Sequence, residues 1–260
     1  MINKVFWQAF MLTALAGMAT GIGGLISILF KNINDKYIAF TLSFSAGVMI
    51  YISFMEIMPS AIENINLYAK EISVYYAVIV FFAGIGIMAF INRFIDDTPK
   101  IISADQPLSA KKKQALLAGI VTCLGIVIHN IPEGMAAFIS SAYDLKSGFV
   151  IVAAIALHNI PEGLCIASAF YYATQNKKRA LLTALLAGLA EPIGGLLAYF
   201  LFKNYINAYS MSIIYALAAG VMIYIALQEL LARARAYGSS AICFFGWMTG
   251  MIIISIGLLI

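Results

Sequence analysis

AGVMIYI, residues 46–52, recurs letter for letter as AGVMIYI at 219–225, and both copies run on to a glutamate at the same offset of 173, Glu56 in the first and Glu229 in the second. A second pair lies upstream of these, GIGGL at 21–25 against PIGGL at 192–196, offset by 171. Internal repeats of this kind decide architecture before any local reading does. Their meaning depends on how many times the chain crosses a membrane between the copies.

That it crosses a membrane follows from composition. Of 260 residues, 63% are hydrophobic and only 11% charged, whereas soluble domains hold about half apolar and a quarter charged residues. Windows of about twenty apolar residues, long enough to span roughly 30 Å of hydrocarbon as a helix, occur at 5–30, 37–62, 73–93, 115–140, 148–173, 180–202, 209–232 and 239–260. Their apolar runs are continuous rather than alternating, which excludes a strand barrel. The first and second windows correspond to the sixth and seventh. Five crossings separate each pair, an odd number, so the copies traverse the membrane in opposite directions. The predicted fold is an all-α membrane protein of eight transmembrane helices, in which an inverted repeat, helices 1–3 against 6–8, encloses a central pair, helices 4 and 5. It forms a single transmembrane domain over 1–260, with a flexible cytoplasmic loop at 95–114 that contains Pro99 and Pro107.

The net charge of +4 is a topology signal and gives no sign of a nucleic-acid partner. Alternate loops hold twelve Lys and Arg residues on one side, Lys111, Lys112, Lys113, Arg233 and Arg235 among them, and four on the other, Lys4, Lys70, Lys146 and Lys203. The positive-inside bias puts the twelve in the cytoplasm and both termini outside. The first window resembles a cleaved leader, yet GIGGL makes it half of a repeat and so part of the mature fold. The three cysteines, Cys123, Cys165 and Cys243, all fall within spans, which argues against a disulfide framework. Gly17, Gly21 and Gly24 at helical spacing read as a face for close helix contact, and Met49, Met55 and Met58 as packing.

Inverted repeats place substrate near the bilayer midplane on interrupted helices. The central pair carries such interruptions: HNIPEG at 129–134 and again at 158–163, with EPIGG at 191–195. His129 is 16 residues after Lys113 and 15 before Asp144, Glu162 is 16 after Lys146 and 15 before Lys177, and Glu191 is 12 from both Arg179 and Lys203. All three lie at mid-membrane. Each proline removes the N–H that would bond the carbonyl four residues back, freeing Ile128, Leu157 and Gly188. Bare carbonyls at that depth are tolerated only in a cavity or buried in protein.

Spacing of four puts His129 over Glu133 and His158 over Glu162 on one helix face. Glu133, Glu162 and Glu191 have no lysine or arginine inside any span to neutralise them, and each ionised carboxylate there costs about 2.5–3.5 kcal/mol. They hold either protons or a cation foreign to the protein. The chain's two histidines both stand one turn before such a glutamate, which favours a cation. Imidazole, carboxylate and the amide oxygens of Asn130 and Asn159 make a mixed N/O donor set suited to a divalent transition metal and poorly to calcium or magnesium. Cys165, one turn after Glu162, reads as a packing residue. Zinc, iron(II), manganese, cobalt and cadmium all accept these ligands, and donor type does not choose among them.

Paired HN-x-PEG motifs in the fourth and fifth of eight spans, with E-P-x-G-G in the sixth, resemble the ZIP family of divalent-metal transporters, bacterial members above all, over essentially the whole chain. The resemblance implies uptake of zinc or another divalent metal across a bacterial inner membrane through a two-metal midplane site. No catalytic cofactor is implied, and the partners are the metal ions, the lipid bilayer and a second copy in a homodimer. By motif position one metal falls to His129, Glu133, His158 and Glu162, the other to Asn130, Glu133, Asn159, Glu162 and Glu191. It also implies an elevator-like movement of spans 1, 4, 5 and 6 against spans 2, 3, 7 and 8. Two departures stand out: the loop between spans 3 and 4 lacks the histidines that many members carry there, and Asn159 stands where some have aspartate.

Other chemistries fit less well. A metallohydrolase needs a spare base beside an open coordination position, and the chain has no HExxH and no third histidine. Axial haem ligation by the two histidines would leave a glutamate one turn from each without a purpose. The matched glutamates outside the motif are expected at opposite mouths, Glu56 at the external and Glu229 at the cytoplasmic one, where they either concentrate cations at entry and exit or are merely interfacial residues reaching water.

Overall fold

The computed structural model describes residues 4–29, 34–66, 73–95, 109–200 and 207–259, and among these every regular element is helical. Among the described residues eight helices are long and apolar enough to cross a membrane: α1 (Lys4–Leu29), α2 (Asp35–Asn66), α3 (Ser73–Ile95), α4 (Ala110–Tyr143), α5 (Leu145–Thr174), α6 (Lys177–Phe200), α7 (Ala208–Ala234) and α8 (Ser240–Leu259). The expected spans are all present. Of the loop expected at 95–114, residues 96–108 lie outside the described residues, and the last five positions are already helix, since α4 starts at Ala110 after Ser109. Lys31, Lys70, Lys100 and Lys203, which contribute to the charge asymmetry, also lie outside them.

Helix starts are set by local chemistry. The side-chain oxygens of Asn34, Asn176 and Asn207 accept from the backbone N–H three residues on, at 2.9, 3.0 and 3.0 Å, satisfying donors that a first turn leaves bare. Ser210 completes a capping box with Asn207. A single extended residue, Asp144 (φ −143, ψ 117), separates α4 from α5, so the central pair forms a hairpin with its two motifs side by side. Gln175, at φ 55, ends α5 in the left-handed conformation that commonly stops a helix.

The packing inverts the habit of soluble proteins. On α1, Met11, Leu15, Met18, Ile22, Leu25 and Leu29 are exposed at helical spacing, while Ala9, Thr13, Ala16, Gly17, Thr20 and Gly24 are buried. Large side chains face lipid, and small ones allow the backbones to approach. The expected glycine face of α1 meets α6: a Cβ at Gly17 would come within 2.2 Å of the Gly188 carbonyl oxygen, and Gly21 and Gly24 lie against Leu185 and Ala184. The helices pack mainly as two groups, α1 with α4, α5 and α6, and α2 with α3, α7 and α8. Within the second group α3 and α8 are outermost, with 22% of their most apolar windows buried against 67% in α2 and 61% in α7.

The inverted repeat appears in the pairings. α1 packs on α5 as α6 packs on α4, and α2 on α8 as α7 on α3. At the end of AGVMIYI the helix widens to π geometry in both copies, from the residue after it at Ser53–Ile57 in α2 and from its last residue at Ile225–Leu231 in α7. Such widened turns often mark functional positions, and each of these two carries the matched glutamate.

Candidate metal centre

Both HNIPEG motifs sit mid-helix. α4 and α5 remain helical through Pro132 and Pro161, so the interruption is a loss of hydrogen bonds without an unwound segment. In α6 the effect of Pro192 is larger, and the helix breaks at Leu189 between Lys177–Gly188 and Ala190–Phe200. Glu191 is thereby placed in a first helical turn, where the helix dipole favours a carboxylate.

All seven residues singled out from the sequence are buried: His129, Asn130, Asn159, Glu162 and Glu191 completely, Glu133 and His158 at 4% exposure. Hydrogen bonds connect the two motifs crosswise. His129 Nε2 donates to Glu162 Oε1 at 3.1 Å, and His158 Nε2 to Glu133 Oε2 at 2.9 Å. Sharing a face within one helix, as the spacing dictates, aims each imidazole at the carboxylate of the neighbouring helix. Asn159 Nδ2 donates to Glu191 and to the Ala16 carbonyl oxygen, the latter at 2.9 Å. Glu191 also lies within electrostatic reach of Glu133, Glu162 and His158. Fourth, fifth and sixth spans thus meet in one polar cluster.

Several polar atoms of this cluster are buried without a hydrogen-bond partner: Asn130 Oδ1 and Nδ2, Glu133 Oε1, Asn159 Oδ1, Glu162 Oε2, Glu191 Oε2 and His129 Nδ1. Orphaned groups in a low-dielectric interior cost about 1–3 kcal/mol each. Five of those atoms are oxygens, the donors a divalent ion takes from carboxylates and carboxamides. As the side chains stand, among the described residues no three of the His, Cys, Asp and Glu groups gather closely enough to hold one ion. The four motif side chains are engaged pairwise, imidazole to carboxylate.

One side of the cluster opens. A cavity of about 140 Å³ between the two helix groups is lined by Glu133 and His158 on one wall and by Glu56, Ser60 and Tyr215 on the other. Glu56 is exposed as well as lining this cavity. Glu229 is not. It is 2% exposed, accepts from Asn92 Nδ2 at 2.7 Å and is ion-paired with Arg233 at 2.6 Å. The expectation that Glu229 reaches water is overturned: Arg233 one turn on and Asn92 of α3 take the place of solvent. Arg233 is legible at a spacing of four, whereas Asn92 lies on α3, and Tyr215, which lines the cavity opposite Glu133 and His158, lies on α7 away from both motifs, so neither has a local signal.

A model of the family described as ZIP Zinc transporter matches residues 103–257. Relatives named zinc transporter ZupT align over nearly the full length. One from Streptococcus mutans is 40% identical, covering 100% of this chain and 99% of the relative. One from Clostridium perfringens is 38% identical, covering 100% and 97%, and one from Chlorobium chlorochromatii 39%, covering 97% of each.

Proposed function

The chain belongs to the ZIP zinc transporter family, and from that premise we propose that it carries divalent transition-metal ions, zinc foremost and also iron, manganese, cobalt and cadmium, into the cytoplasm of a bacterium. The family is one of transporters and not of enzymes. The proposed transport site is the buried cluster of α4, α5 and α6. His129, Glu133, His158 and Glu162 take one ion, and Asn130, Glu133, Asn159, Glu162 and Glu191 take a second. Both termini lie outside the cell, and the protein works as a homodimer.

The observation that carries this reading is the set of five orphaned side-chain oxygens on residues that the motif also selects. Two divalent ions a few ångströms apart repel strongly, and Glu133 and Glu162 between them offset that repulsion. Binding exchanges the two imidazole–carboxylate hydrogen bonds for bonds to the ion, so the chain gives up little to admit it. Release reverses the exchange. The division of the bundle into α1, α4, α5 and α6 against α2, α3, α7 and α8 supports alternating access by sliding of the first group, because the site's ligands all belong to it while the cavity's far wall belongs to the second.

Uptake of radioactive zinc into cells expressing the protein, with competing divalent ions, is the test. Glu133→Ala and Glu162→Ala, which remove ligands of both ions, abolish uptake, and His129→Ala alters the order of competition. Normal uptake by a well-expressed Glu133→Ala protein would sink the reading.

A further inference from the structure

The repeat extends further than GIGGL. AGMATGIGGL at 16–25 aligns with AGLAEPIGGL at 187–196 at the constant offset of 171, which makes Thr20 the counterpart of Glu191. Backbone geometry obeys the same correspondence. Gly17 and its mate Gly188 meet each other, so closely that a Cβ on either would lie 2.2 or 2.1 Å from the opposite carbonyl oxygen. Gly23 of α1 approaches the Ile160 carbonyl of the second motif, as its mate Gly194 of α6 approaches the Ile131 carbonyl of the first. Gly134 of the first motif lies against the backbone of Glu191, and Gly163 of the second against the backbone of Thr20. A pseudo-two-fold therefore exchanges α1 with α6 and α4 with α5, carrying His129 to His158, Asn130 to Asn159 and Glu191 to Thr20.

The two halves differ in how their polar groups are used. Asn159 is held by Glu191 and by the Ala16 carbonyl. Its mate Asn130 has neither bond. Both atoms of its carboxamide are buried without a partner, and so is the Thr20 hydroxyl, in a residue with no exposure at all. A fully buried hydroxyl and carboxamide in matched positions of a membrane protein, both unspent, are costly unless a ligand uses them.

We propose that Thr20 is a further ligand of the transport site: its hydroxyl, with the Asn130 carboxamide, forms the neutral half of the cation cage opposite the charged half made by Glu191 and Asn159. This rests on the transport-site reading above and sharpens it. Two divalent ions meet three carboxylates rather than four, and the difference falls on one identifiable side. The charged half grips and the neutral half provides an oxygen that releases more readily, which sets selectivity as well as turnover. A hydroxyl is a hard donor, so its removal penalises zinc more than the softer cadmium.

Zinc and cadmium uptake by Thr20→Val, Thr20→Ser and Glu133→Ala tests this. Valine keeps the shape and removes the oxygen. The expected result is a KM for zinc raised about three- to tenfold, the scale of one neutral oxygen contact, with a zinc-to-cadmium uptake ratio lowered by about threefold and restored by Thr20→Ser. That ratio is independent of how much protein reaches the membrane. Wild-type KM and ratio in Thr20→Val, with Glu133→Ala inactive, would overturn the role of Thr20 alone, as would equal impairment of the serine and valine variants. An active Glu133→Ala would overturn the transport site itself.

Discussion

Glu56 and Glu229 begin from the same seven letters, and each stands in a widened helical turn, yet one faces an open cavity and the other is sealed. Four residues after Glu56 the chain has Ser60, which lines the same cavity; four residues after Glu229 it has Arg233, which closes on the carboxylate with help from Asn92. A repeat fixes where the backbone goes. What a side chain does there depends on the one or two neighbours that the repeat did not copy. The same lesson applies at the centre, where Glu191 has Thr20 as its counterpart.

The largest effect is expected in the backbone that the two halves share. Gly47 and Gly220 are mates at the offset of 173, and a Cβ at either would lie 2.1 Å from a carbonyl oxygen, of Trp247 and of Phe81 respectively. Gly47→Ala and Gly220→Ala each force a helix pair apart and cost about 3 kcal/mol. Thermal unfolding in detergent is the measurement, and similar losses from the two are expected if the halves are equivalent in packing. A large loss from one and none from the other would show that the equivalence stops at the letters.

Next in size is Arg233→Gln, which leaves a buried carboxylate with Asn92 alone. A fully buried pair loses about 3–5 kcal/mol when one partner goes. Arg233 keeps 20% of its side chain exposed, and the loss here is about 2 kcal/mol after allowance for solvent screening. Adding Glu229→Gln recovers most of it, because the stranded charge is removed as well. The corresponding change on the other side, Ser60→Ala, moves the melting temperature little.

The smallest effect is the one that separates the two mouths by function. Glu56→Gln changes stability by less than about 0.5 kcal/mol, as exposed substitutions do, and raises the KM for zinc about two- to threefold at low ionic strength by removing a charge that concentrates cations at the cavity. Above roughly 0.15 M salt the effect fades, since screening there acts over about 8 Å. A KM unchanged at every salt concentration would reduce Glu56 to a residue that merely reaches water.

Legible in the letters alone were the eight helices long enough to cross a membrane, the inverted repeat that relates them and the seven candidate ligands. The bilayer makes this possible: a long apolar helix has few alternatives, and a histidine or glutamate at mid-span is too costly to be incidental. Who bonds whom emerges from the packing of the helices. That His129 donates to Glu162 and His158 to Glu133, that Asn92 and Arg233 seal Glu229, and that Thr20 lies against the second motif are relations between helices. Spacing of four orders the side chains along one helix and says nothing of the neighbour's rotation. Those choices were set by close backbone contacts such as Gly17 on Gly188 and Gly163 on Thr20, where the absence of a side chain allows two helices to meet and so determines which faces look at each other.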